Sequence, residues 1–89
     1  MKRYELQYSK EALKELKKLD NSVARAIYAW LKKNIDGCAD PRAHGKALSA
    51  NRAGQWRYRV GNYRVICKIE DEKVIVLVLT IAHRSTVYD

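Results

Sequence analysis

The sequence predicts an α+β domain with the order β-α-α-β-β-β, a helical hairpin packed on one face of a mainly antiparallel four-stranded sheet. Three observations lead there. Apolar residues recur at three- and four-residue spacing between positions 10 and 35. They alternate with polar residues at 2–8, 55–60 and 63–69. The run from Val74 to Ala82 is almost wholly apolar, as a central strand covered on both faces would be.

Each element has its own local reason. Tyr4, Leu6 and Tyr8 alternate with Arg3, Glu5 and Gln7, which predicts a strand with one buried face. Ser9 is placed to cap a helix whose apolar stripe is Ala12, Leu13, Leu16 and Leu19, with Lys14, Glu15, Lys17 and Lys18 between. Asp20-Asn21-Ser22 breaks that pattern and supplies a second cap. Val23, Ala26, Ile27, Trp30, Leu31 and Ile35 form the next stripe, and the short turn predicts an antiparallel hairpin. Residues 36–51, with Gly37, Pro41 and Gly45, read as a connection holding a turn of helix. Trp56, Tyr58 and Val60 oppose Arg57 and Arg59. Gly61-Asn62 is a hairpin turn signal. Val65, Cys67 and Ile69 then oppose Arg64 and Lys68, with Ile66 breaking the polar side, and 70–73 is the last turn.

A chain of 89 residues bounds the protein to one domain, 1–89, with one thin core. With 47% hydrophobic and 31% charged residues, the balance is globular rather than disordered. The segment from Tyr4 to Lys10 is too polar for a signal-peptide core. The longest apolar run, Val74 to Leu79, is far short of the ~20 residues of a membrane helix. Cys38 and Cys67 form no C-x-x-C pair, so a reduced, cytoplasmic protein is expected, with Cys67 a core thiol.

Charge is the informative excess. Eighteen basic residues face ten acidic ones, for a net +8. From Pro41 to Lys68 there is no acid, while Arg42, Lys46, Arg52, Arg57, Arg59, Arg64 and Lys68 contribute +7. Such a block predicts an anion-binding surface. Arg57 and Arg59 share a strand face, Arg64 follows across the turn, and His83-Arg84 leaves the neighbouring strand four residues before Tyr88. The block has no converging carboxylates for Mg²⁺, and the chain has no short Cys/His ligand pair for zinc. It also lacks a Gly-rich phosphate loop. His44 reads as a surface residue of the connection. RNA needs no metal to be cut, since its 2′-hydroxyl can attack the adjacent phosphate. A protein then supplies orientation, cations and proton transfer. Arginine suits phosphate, tyrosine can stack on a base, and His83 is the one member of the set titrating near neutrality.

The sequence resembles the RelE toxins of the RelE/ParE superfamily over essentially its whole length. Four stretches carry the resemblance: Ala12 to Leu19, Trp56 to Val65, Asp71 to Val76, and Ile81 to Tyr88. It implies the toxin of a type II toxin–antitoxin pair, a metal-independent endoribonuclease that cleaves mRNA in the ribosomal A site. The products are a 2′,3′-cyclic phosphate and a 5′-hydroxyl, and no cofactor is needed. Arg57 and Arg59 match the family's two basic strand positions. Arg64 and Arg84 match the arginines that brace the phosphate, and Tyr88 matches the C-terminal tyrosine that stacks on the substrate or assists attack. Lys46, Arg52 and Lys68 join Arg57 and Arg59 as RNA-binding candidates.

One departure bears on mechanism. The two strand positions are often lysine in the family, and arginine does not readily give up a proton near pH 7. His83 is therefore the substitute acid–base candidate. The expected partners are ribosome-bound mRNA and a RelB-like antitoxin whose acidic segment masks the basic groove. Two alternative readings share these features: a ParE-like inhibitor of DNA gyrase acting by binding, and a nucleic-acid-binding module without catalysis.

Overall fold

Residues 2–86 are described by a computed structural model. Strand β1 (Glu5–Tyr8) leads into helices α1 (Lys10–Lys18) and α2 (Asn21–Asn34). Strands β2 (Lys46–Ala47), β3 (Trp56–Val60), β4 (Tyr63–Glu70) and β5 (Ile75–His83) follow. They form one sheet in the order β1-β5-β4-β3-β2, with β1 parallel to β5 and the other pairs antiparallel. No helix is long and apolar enough to cross a membrane among the described residues.

The expected class holds, with two corrections. The sheet has five strands, not four, because the connection contributes β2, paired through Lys46↔Arg57 and Ala47↔Trp56. Two residues are too few to show alternation, so this strand leaves no periodic signal. The apolar strand β5 lies between β1 and β4, and the centre of the sheet is β4.

Local chemistry sets the element ends. Ser9 is extended at the start of α1, and its Oγ accepts from the Ala12 N–H at 3.0 Å. Asp20 occupies the corresponding position before α2, but its side chain makes no capping bond. The helices cover one sheet face. Ala12, Ile27, Leu31 and Ile35 meet Tyr58, Val65, Cys67, Val76, Val78 and Ile81 in the core. Each large aliphatic buried there contributes about 1.5–3 kcal/mol relative to exposure. Cys67 is the expected core thiol, and burial pushes its pKa upward. The Tyr58 hydroxyl donates to the Pro41 carbonyl at 2.6 Å and ties the connection to the core.

A bulge interrupts β5. Cys67 pairs with Val78 and Ile66 with Thr80, leaving Leu79 as an extra residue. Val76 and Val78 point into the core before it, and Ile81 does so after it. Ala82 therefore lies opposite Arg64 on the face away from the helices, and His83 lies opposite Tyr63 on the helix side.

Candidate nucleic-acid interface

The β3–β4 hairpin builds the site. Gly61, at φ +59°, takes the left-handed conformation its tight turn requires. The turn sets Arg59 opposite Arg64 and Arg57 opposite Ile66. Tyr58 and Val65 point into the core, so these arginines point to the face away from the helices, where Arg57 and Ile66 are themselves buried. Lys46 lies beside Arg57 on β2. The backbone N–H of Arg84 donates to the Asn62 carbonyl at 2.8 Å, pinning the chain after β5 to the hairpin turn.

This face is a concentration of like charge. Arg57 is only 4% exposed. Burial lowers its pKa first, and the neighbouring Arg64 and Arg59 lower it further. The Arg64 guanidinium is also lowered from its ordinary value, by desolvation and then by Arg59 and Arg84. Arginine keeps its proton under such pressure. Like charges directly opposite on two strands are destabilising, and an anion between them converts that repulsion into attraction. Planar guanidiniums match phosphate oxygens two at a time.

The candidate residues divide. Arg57, Arg59, Arg64, Arg84 and Lys46 come together. Arg52 donates to the Gln55 side chain at 3.2 Å in a short turn after β2. Lys68 sits 3.7 Å from the Glu70 carboxylate, four positions along β4 from Arg64. His83 does not join the arginines. Its ring meets Tyr63 edge-on at 5.4 Å. Its Nδ1 accepts from the Ser85 N–H at 3.2 Å and lies 3.0 Å from the Ser85 hydroxyl. A backbone N–H can only donate, so the ring proton belongs on Nε2. The bulge in β5 is the reason for this placement: it reverses the facing of every residue after Leu79. Tyr88 lies outside the described residues. His44 is exposed as expected, its carbonyl accepting from Trp56 Nε1 at 2.7 Å. Among the described residues, no three His, Cys, Asp or Glu side chains gather as a metal site.

Sequence reasoning missed Glu15. It reads as one more charged residue on a solvated helix, yet its carboxylate accepts from Thr80 Oγ1 at 2.8 and 2.9 Å and from the Ile81 N–H at 2.8 Å. Nothing in the periodicity of α1 signals a partner 65 residues away.

Comparison with known proteins fits this geometry. The sequence model for the ParE toxin of the type II toxin–antitoxin system parDE matches residues 6–88. The chain belongs to that family. It is thus the toxin of a type II toxin–antitoxin system, within the RelE/ParE superfamily. The toxin is 28% identical to Toxin RelG of Mycobacterium tuberculosis, over 96% of this chain and 95% of that one. The toxin–antitoxin complex RelBE2 of the same organism contains a chain that superposes with TM-score 0.84 at 28% identity, covering 96% of the toxin and 95% of that chain. The isolated RelE toxin of Escherichia coli shares the fold, with TM-score 0.69 at 23% identity over 90% of the toxin and 83% of that chain.

Proposed function

We propose that this toxin is an endoribonuclease that cuts ribosome-bound mRNA in the A site, working in the cytoplasm and restrained by a RelB-like antitoxin. The observation that carries this reading is the arginine face, where Arg59 lies opposite Arg64, Arg57 shares their side of the hairpin, and the Arg84 backbone is bonded to the hairpin turn. In the reaction, the 2′-oxygen loses its proton and forms a bond to the adjacent phosphorus. The bond from phosphorus to the 5′-oxygen breaks, and that oxygen gains a proton. A 2′,3′-cyclic phosphate and a 5′-hydroxyl result. Arg64 and Arg84 brace the phosphate as negative charge builds on its equatorial oxygens. Arg57, Arg59 and Lys46 hold the flanking backbone in line. Tyr88 is assigned, from its match to the family's C-terminal tyrosine, to stack on the substrate or assist attack. An acidic antitoxin segment laid over the same face would silence it by charge complementarity.

The test adds purified toxin to ribosomes paused on a defined mRNA and maps RNA ends by primer extension. Free mRNA and the Arg64→Ala plus Arg84→Ala variant run alongside. A-site cuts by the parent alone, with a drop of at least about a hundredfold in the variant, are expected. Absence of cuts by a folded parent would sink the nuclease reading. The match to the ParE toxin model then favours a second reading, inhibition of DNA gyrase by binding, which a supercoiling assay would reveal.

A further inference from the structure

We infer that Glu15 is a positioning residue for the arginine face: from α1 it holds the bulged end of β5 in the phase that turns Arg84 toward Arg64. The inference rests on the proposed function only in taking that face as the seat of the RNA phosphate.

The argument begins at the edge of the sheet. β1 runs beside β5 only as far as the pair Tyr8↔Val78. The chain then turns away at Ser9 to begin α1, while β5 continues to His83. Backbone groups on that stretch of edge need partners. Side chains of α1 and its cap supply them. The Ser9 hydroxyl donates to the Leu79 carbonyl at 2.9 Å, and Glu15 accepts from the Ile81 N–H at 2.8 Å. Thr80, between them, gives its hydroxyl proton to the same carboxylate. The start of α1 thus stands in for the missing strand.

The bulge lies within this stretch, and it decides which residues reach the open face. Without an extra residue, a strand with Val76 and Val78 inward would also turn Thr80 and Ala82 inward and shift the exit of the chain toward Arg84. With Leu79 as the extra residue, Ile81 is inward at 3% exposure and Ala82 faces outward opposite Arg64. Arg84, two residues on, is held at the hairpin turn by its N–H bond to the Asn62 carbonyl at 2.8 Å, two residues from Arg64, while the His83 ring goes to Tyr63. The ladder is weakest at a bulge. Glu15 bonds both residues that follow it, with a charged acceptor that makes strong hydrogen bonds.

Two measurements test this. The first is nuclear Overhauser contact between the Ala82 methyl and the Arg64 side chain in the free toxin. It is present in the parent, lost or weakened in Glu15→Ala, and largely restored in Glu15→Gln, which keeps an acceptor oxygen. The second is a double-mutant cycle of Glu15→Ala with Arg84→Ala, read as affinity for a short 2′-O-methyl RNA that cannot be cut. Glu15→Ala should weaken binding about three- to tenfold in the parent and have no further effect without Arg84. An unchanged contact in Glu15→Ala, or equal weakening in both backgrounds, overturns the inference. A lost contact combined with RNA binding indifferent to Arg84→Ala leaves Glu15 holding the strand and overturns the arginine-face reading instead. Should Glu15→Ala not fold, Glu15→Gln combined with Thr80→Val takes its place in both measurements.

Discussion

Asp71 gathers three hydrogen bonds at the end of the sheet remote from the arginine face. The Tyr4 hydroxyl donates to it at 2.7 Å, and the Arg42 guanidinium donates to its two oxygens at 3.0 Å each. Arg42 first, and Tyr4 second, hold its pKa down to about 2. A carboxylate lowered on folding from about 4 contributes stability that is present above pH ~4 and lost as pH falls toward 2. Both partners of the ion pair are about half exposed, at 44% and 53%, so solvent screening keeps the contribution below about 1 kcal/mol. Asp71→Asn should therefore cost less than about 1 kcal/mol in urea melts at pH 7, and that difference should shrink below pH ~4 and vanish only below pH 2, once the folded carboxyl is itself protonated. A constant difference across that range would mean that the pair does not titrate with folding. His83 gives a second residue-scale expectation. Its ring lies on the helix side with Nδ1 held by Ser85, so His83→Gln should keep the parent's cleavage rate and pH profile. A steep loss at neutral pH in that variant would return His83 to the reaction. The sequence made the arginines legible because alternation on β3 and β4 fixes their face. It hid the direction of His83, because a bulge inverts alternation and Leu79 looks like any other strand residue.

Elements show the same division. The cap at Ser9, the hairpin turn at Gly61-Asn62 and both helices follow from spacing and turn chemistry, and each appears where that chemistry places it. β2 does not, since it exists through close approach rather than pattern. Gly45, which precedes it at φ +82°, makes this concrete. A Cβ there would collide with the Arg57 carbonyl and come within 2.7 Å of Trp56 Nε1. Gly45→Ala should therefore cost at least about 2 kcal/mol, combining left-handed strain with overpacking. It should also weaken RNA binding by displacing Lys46 from Arg57. Chemical denaturation reads the first effect and a titration with short RNA the second. A stable variant with parental affinity would show that β2 is dispensable to the face. Ser9→Ala tests the other junction. That serine caps α1 and bonds the Leu79 carbonyl, so its loss should cost about 0.5–2 kcal/mol.

At the scale of the whole molecule, the question is whether +8 acts as a diffuse cloud or a built surface. Composition alone does not decide it, because net charge speaks to partners and not to placement. The fold separates the possibilities. The helices carry exposed cations such as Lys14 and Lys33 on the layer opposite the arginine face. Long-range charge treats the two layers alike, whereas direct phosphate contact does not. For single-stranded RNA, each neutralised phosphate contributes a slope of about −0.7 in the logarithm of affinity against the logarithm of salt concentration. If Lys46, Arg57, Arg59, Arg64 and Arg84 each meet a phosphate, the slope should be about −3.5. Arg64→Ala should reduce its magnitude by about 0.7, and Lys33→Ala should leave it unchanged. Binding to a short, uncleavable RNA between low and moderate salt measures all three slopes. Equal reductions in the two variants would mean that the toxin holds RNA by overall charge, and the four arginines would lose their claim to a common phosphate path.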